Sequence, residues 1–80
     1  MPSYFFDLEI AGAITKDDCG LDLNGFEAAR LEATRTLGDL ARGLLLDGCS
    51  KSIALQVRDN TDQPVLKVTL AIEVNATTPD

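Results

Sequence analysis

The stretch "LNGFEAARLEATRTLGDLARGLLLDG", from Leu23 to Gly48, predicts one long amphipathic helix. Asn24 and Glu27 have the spacing of a capping box at its start, and Gly48 suits a left-handed C-cap at its end. Apolar residues at spacings of three and four form one stripe: Phe26, Ala29, Ala33, Leu37, Leu40, Ala41 and Leu44. Opposite charges at similar spacings indicate a solvated face: Glu27/Arg30, Glu32/Arg35, Arg35/Asp39 and Asp39/Arg42.

Alternating segments on both sides of this helix predict two β-hairpins. Apolar residues at every second position are typical of half-buried strands. In the first hairpin, Gly12 supplies the turn and Ile14 and Thr15 form a short return strand. In the second hairpin, residues 59–64 have the composition of a turn. The inward-facing positions are Tyr4, Phe6, Leu8 and Ile10, then Ile53, Leu55 and Val57, then Leu66, Val68, Leu70, Ile72 and Val74.

The order hairpin, helix, hairpin predicts an α+β fold with a small antiparallel sheet and the helix packed on one face. Residues 1–80 form one domain, with a frayed tail at residues 75–80. The expected core is Tyr4, Phe6, Leu8, Ile10, Phe26, Ala33, Leu37, Leu40, Leu44, Leu55, Val57, Leu66, Val68, Leu70 and Ile72.

Composition excludes several classes of function. The chain has 80 residues, of which 45% are hydrophobic, and a net charge of -6. Its seven Lys and Arg residues form no basic stripe, so we expect no nucleic-acid partner. No segment approaches the roughly 20 apolar residues of a membrane span, and the N-terminus lacks the pattern of a signal peptide. We therefore expect a cytoplasmic protein with no membrane partner.

The side chains offer little catalytic chemistry. The sequence contains no histidine, the commonest general base. Cys19 and Cys49 are expected to be buried or half-buried free thiols, because a reducing cytoplasm disfavours a disulfide. The acidic turn from Asp17 to Asp22 should be solvated. As a calcium loop it lacks ligands at two anchoring positions, occupied by Gly20 and Leu31. We predict no catalytic, cofactor or metal site, and no enzyme.

The remaining candidate for function is a surface. The sheet face opposite the helix should be open, and its expected interaction residues are Phe5, Asp7, Glu9, Arg58, Lys67 and Thr69. A core this small favours assembly. We therefore predict a small protein-interaction module that forms a homodimer through this face or through a sheet edge, with a small protein as the alternative partner.

Four segments resemble a family of short bacterial proteins known only as a domain of unknown function. These are "YFFDL" (Tyr4–Leu8), "DDCG" (Asp17–Gly20), "LNGFEAARLEA" (Leu23–Ala33) and "VRDNTDQPVLKVTL" (Val57–Leu70). The resemblance runs from Ser3 to about Val74. It implies the same hairpin, helix and hairpin, and it implies no catalytic residues.

A weaker likeness is to antitoxins of the HicB type, which also begin with a hairpin, an acidic glycine turn and a helix. Such proteins add a DNA-binding segment and a third strand before the helix, and neither is clear in this sequence. The likeness implies an alternative function, in which the acidic chain binds a small basic toxin.

Overall fold

The computed structural model describes residues 2–48, 51–75 and 77. It contains β1 (Ser3–Ile10), β2 (Ala13–Thr15), β3 (Leu21–Asp22), α1 (Phe26–Leu46), β4 (Lys51–Arg58) and β5 (Pro64–Ile72). The strands form one antiparallel sheet in the order β2-β1-β4-β5, with β3 paired to β1. The predicted α+β fold is confirmed. Cys49 and most of the predicted frayed tail lie outside the described residues.

Both predicted hairpins form, each with the expected turn. Ile10 pairs with Ala13, so Ala11 and Gly12 are the two turn residues, and both have positive φ angles of 51° and 88°. This is the combination that suits the twist of a two-residue hairpin. In the second turn, the carboxylate of Asp59 accepts hydrogen bonds from the N–H groups of Thr61 and Gln63.

Helix α1 packs one face of the sheet, mainly over β4 and β5. Its buried residues are Ala29, Ala33, Leu37 and Ala41, and Leu40 and Leu44 pack partly buried against the same core. Small alanines let the helix backbone approach the strands closely. Ile53, Leu55 and Val57 are the largest fully buried side chains, so the core is centred on β4.

The sequence predicts the C-terminal end of the helix correctly and its N-terminal cap incorrectly. Gly48 has the predicted left-handed conformation, with φ 74°. The predicted capping box is wrong, because Gly25 is the N-cap and no side-chain hydrogen bond caps the helix. Glu27 instead accepts a hydrogen bond from the guanidinium of Arg30 at 2.9 Å. Three of the four predicted ion pairs form, between residues 27 and 30, 32 and 35, and 39 and 42.

Two predicted core residues are exposed. Phe26 retains 48% of its accessible surface because it is the first helical residue and precedes the packed stretch that begins at Ala29. Leu70 retains 37% because β5 has a neighbouring strand on one side only. Conversely, Ala54 is buried although it lies on the sheet face opposite the helix, because the longer side chains of Glu9 and Thr69 flank it across the strands.

The short strand β3 was not predicted. Ser3 pairs with Asp22, and the side chain of Ser3 donates a hydrogen bond to the carboxylate of Asp22 at 2.6 Å. The N–H of Leu23 also bonds the carbonyl of Pro2. This pairing ties the segment before the helix back to β1, so that residues 16–20 are held against the sheet.

Among the described residues, no helix is both long and apolar enough to cross a membrane. The cytoplasmic location stays a prediction.

Candidate functional site

The six predicted surface residues share the sheet face opposite α1, which we call the open face. Because side chains alternate along a strand, Phe5, Asp7 and Glu9 lie on this face of β1. The register places Arg58 beside Phe5 and aligns Asp7, Gln56 and Lys67 in one row across three strands. The structure nevertheless divides the six residues into two groups with different roles.

Asp7 and Arg58 form a nearly buried ion pair. The Nε of Arg58 donates to Oδ2 of Asp7 at 2.7 Å, and Nη2 donates to Oδ1 at 3.0 Å. The side chains are only 9% and 15% exposed, so the expectation that both are available to a partner is wrong. The pKa of Asp7 is lowered, mainly by the hydrogen bonds from the Arg58 guanidinium. Burial acts in the opposite direction, whereas the N–H of Asp17 and the charge of Lys16 lower the pKa further.

Asp17 closes the acidic turn over this ion pair. Its N–H donates to Asp7 Oδ1 and its carbonyl accepts from Arg58 Nη2, both at 3.0 Å. Its carboxylate accepts the N–H groups of Phe6, Cys19 and Gly20. Burial works against the charged form, but these three N–H groups together lower the pKa of Asp17. The expectation of a fully solvated turn is therefore wrong, because the hydrogen bonds of Asp17 hold the turn against the sheet.

Phe5 is enclosed by the same contacts. The Arg58 guanidinium carbon lies 5.0 Å from the centroid of the Phe5 ring, within the range of a cation–π interaction. On the other side, a Cβ atom on Gly20 would lie 2.8 Å from Phe5 Cε2. Phe5 is half-buried, and we call the group formed by Phe5, Asp7, Asp17, Gly20 and Arg58 the Arg58 corner.

The charged groups of the Arg58 corner bind one another and the backbone of Asp17. The guanidinium also donates to the exposed carboxylate of Asp62, at 2.5 Å. The hydrogen bonds to Asp7 first, and to Asp62 second, raise the pKa of Arg58. Across the described residues, no buried side-chain nitrogen or oxygen lacks a hydrogen-bond partner. The corner therefore stabilises the fold, and a ligand would have to break it to use its charges.

The other three candidates, Glu9, Lys67 and Thr69, line the accessible part of the open face. Glu9 and Lys67 form an ion pair at 3.7 Å. A groove of about 500 Å³ lies alongside, lined by Asp7, Glu9, Ile14, Lys16, Gln56 and Lys67. Its charged groups are of both signs and largely compensate one another, so the groove selects neither an anion nor a cation.

Metal-ligating side chains do not cluster in the part of the chain that the structure describes, and Cys19 lies at the surface. No group of three His, Cys, Asp or Glu side chains there could hold a metal ion. Cys19 is exposed, so the expectation of a buried thiol is wrong for this residue. Its N–H bonds Asp17, which fixes the turn and leaves the thiol outside the core.

The outer edge of β5 was not identified from the sequence, and two hydrogen bonds show how it is built. The N–H of Ala11 donates to the carbonyl of Ser52, so the backbone of Ser52 faces β1. The N–H of Phe6 faces away from β4, toward the Asp17 carboxylate. Backbone groups alternate in direction along antiparallel strands. Even-numbered residues of β4 therefore bond β1, and its odd-numbered residues bond β5.

This alternation determines which residues of β5 face outward. Leu66, Val68 and Leu70 pair with the odd-numbered residues of β4 and so direct their backbone groups inward. The N–H and C=O groups of Lys67, Thr69 and Ala71 consequently point away from the sheet, where no described strand lies beside them. The long alternating segment that forms β5 could be recognised from the sequence as a strand. Its position at an edge of the sheet follows only from the strand order.

Comparison with known proteins gives a family and no function. Residues 3–71 match the family described as Domain of unknown function (DUF6894), and the chain belongs to this family. No curated protein and no solved structure matches the chain. The likeness to HicB-type antitoxins and the bacterial origin stay predictions.

Proposed function

We propose that this protein is a small, non-enzymatic interaction module that forms a homodimer through the outer edge of β5. The observation that carries the proposal is a nine-residue edge strand whose outward backbone groups have no strand beside them among the described residues. Such an edge is a template for pairing with another chain, and natural proteins either block it or use it.

The two edges of the sheet differ in the way this proposal requires. At one edge, β2 has three residues and β3 has two, which leaves little continuous backbone for a partner. At the other edge, β5 carries a proline only at its first position. Its single charged residue, Lys67, pairs with Glu9 on the open face, so the charge is partly compensated. The proline and the register shift beside Arg58 both lie at the N-terminal end of β5, so these devices against pairing leave the edge from Leu66 to Ile72 regular.

The Arg58 corner argues against a dimer formed through the open face. Phe5, Asp7 and Arg58 are held in contacts within one chain, so this end of the face has little apolar surface to give a partner. A Phe5→Glu variant would consequently disturb folding as well as any interface. It is a poor test of association.

Sedimentation equilibrium across a wide dilution series, with reductant present, tests the proposal directly. We expect a dimer for the wild-type chain and a monomer for Thr69→Pro. Proline at this position removes an outward N–H and leaves the donors toward β4 in place, which is where edge strands tolerate proline. Thr69→Val is the matched control, because it keeps the N–H and the branched shape, and it should remain dimeric.

Circular dichroism must show that Thr69→Pro keeps the wild-type secondary structure. A wild-type monomer throughout the concentration range would contradict the proposal, whatever the variants do. A folded Thr69→Pro variant that dimerises as tightly as Thr69→Val would move the interface away from the edge of β5.

A further inference from the structure

We propose that β5 pairs antiparallel with β5 of a second copy about a two-fold axis at Val68. This inference rests on the proposed function and specifies the register of its interface. Joined in this way, the two sheets become one continuous sheet in the order β2-β1-β4-β5-β5-β4-β1-β2, with β3 paired to β1 in each copy. The axis is perpendicular to the sheet, so both helices lie on one side and the two open faces merge on the other.

Backbone direction restricts the allowed registers. The outward groups belong to Lys67, Thr69 and Ala71, so hydrogen-bonded pairs must form between odd-numbered residues of the two copies. With the axis at Val68, Lys67 exchanges hydrogen bonds with Thr69 of the second copy. Val65, which the register shift leaves without a facing residue in β4, lies opposite Ala71 of the second copy. Each of the nine residues of β5 then lies opposite a residue of β5 in the second copy. Moving the axis by one residue in either direction leaves two residues at one end of each strand without a partner in β5.

Charge separates the alternatives further. An axis at Lys67 would place two copies of this lysine directly opposite each other, and like charges in that position are destabilising. An axis at Val68 places Lys67 opposite Thr69 instead. The two lysines become diagonal neighbours, roughly 7–8 Å apart at Cα, and each already pairs with its own Glu9.

The same register completes the apolar side. Leu66 of one copy faces Leu70 of the other, and Val68 faces Val68, on the side that carries the helices. Leu70 is 37% exposed in the single chain because no strand flanks it on the outside. The second copy supplies that strand and a leucine to cover it. Cross-strand apolar pairs of this kind stabilise sheets by roughly 0.2–1 kcal/mol each.

Single cysteines placed in a Cys19→Ser/Cys49→Ser background test the register. Val68 meets itself in a pair without hydrogen bonds, where the Cα atoms lie about 4.5 Å apart, within the range that a disulfide spans. We expect Val68→Cys to form covalent dimers under mild oxidation at least tenfold faster than Leu70→Cys. Leu70 is the matched control, on the same strand and face and more exposed, and its two copies lie roughly 13 Å apart along the strands.

Two further cysteine variants report the neighbouring registers. Thr69→Cys would cross-link fastest if the axis lay at Thr69, and Lys67→Cys would do so if it lay at Lys67. Either result would overturn the register at Val68. As an independent check, an equimolar mixture of Leu66→Cys and Leu70→Cys should give a mixed disulfide dimer, whereas each variant alone should not.

The outcomes distinguish this inference from the proposed function. If sedimentation shows a dimer but neither Val68→Cys nor the mixed pair cross-links, the register is wrong and the self-association stands. If the background variant and the wild-type chain are both monomers, both proposals fail. If Val68→Cys does not fold, the mixture of Leu66→Cys and Leu70→Cys decides the register alone.

Discussion

Asp7→Asn should destabilise the fold more than any substitution at an exposed charge, because it breaks the Arg58 corner without changing its shape. The carboxylate of Asp7 accepts three hydrogen bonds, two from Arg58 and one from the N–H of Asp17. Asparagine keeps one carbonyl oxygen for the Nη2 of Arg58 and the N–H of Asp17. Its NH2 group, however, faces the Nε–H of Arg58, so two donors meet where a charge-assisted hydrogen bond of 2.7 Å existed.

The size of the effect follows from burial. Hydrogen bonds to charged groups contribute about 1.5–3 kcal/mol, and removing one partner of a buried ion pair costs about 3–5 kcal/mol. Arg58 keeps the carbonyl of Asp17 and the exposed carboxylate of Asp62, which offset part of this loss. We therefore expect the free energy of unfolding to fall by about 2–3 kcal/mol. For a domain of this size that is roughly 10–20 °C in Tm.

Urea unfolding followed by far-ultraviolet circular dichroism measures the loss at pH 7. Asp62→Asn is the control, because it changes a carboxylate on the same guanidinium whose side chain is 70% exposed. Asp62 has φ 68°, a conformation that asparagine adopts as readily as aspartate, so this variant should stay close to wild type. Equal stability of the Asp7→Asn and Asp62→Asn variants would refute the view that the buried pair holds the corner together.

Three further predictions concern acid, the left-handed turns and the helix. The pKa values of Asp7 and Asp17 lie below their ordinary 3.8, so the stability that these carboxylates contribute should be complete above about pH 5 and lost as the pH falls further. In urea titrations at a series of pH values, Asp17→Asn should reduce the dependence of the free energy of unfolding on pH. Gly20→Ala should lower the free energy of unfolding by about 2–3 kcal/mol, and Gly12→Ala by less. Both glycines have positive φ angles, but only Gly20 lies against an aromatic ring, so equal losses would show that the ring contact does not matter. Gly38→Ala should raise the free energy of unfolding by about 0.5–1 kcal/mol, since a Cβ there meets nothing within 4 Å; a lower Tm would contradict this.

Local patterns predict the elements of this fold well and their mutual arrangement poorly. The helix from Phe26 to Leu46 and the strands β1, β4 and β5 follow from spacings of three and four or of two. The prediction of the N-terminal cap was wrong. Asn24 and Glu27 have the spacing of a capping box, but the helix begins one residue later, with Gly25 as its N-cap. Strand β3 could not be predicted, because a strand of two residues is too short to show alternation.

Burial of Asp7 could not be predicted, because it depends on contacts distant in sequence. Alternation places Asp7 on the open face, and a carboxylate on an uncovered face is normally exposed. The residues that cover and pair with it lie 10 and 51 positions away, at Asp17 and Arg58. Which residues of β1 and β4 lie opposite each other depends on the strand order and register, and neither can be determined from single segments.

The strand order also decides which surface is left for a partner. Had β5 paired with β1, its outward groups would be internal, and β4 would form an edge. Instead β4 lies between β1 and β5, with the largest fully buried side chains of the core on one face and Arg58 on the other. The Arg58 corner then occupies one end of the open face with contacts inside the chain, while the backbone of Lys67, Thr69 and Ala71 faces outward along an uncovered strand. Asp7 and Arg58, two of the charged residues that look functional in the sequence, are thus committed to contacts within the fold. The association that we propose depends instead on the backbone of β5.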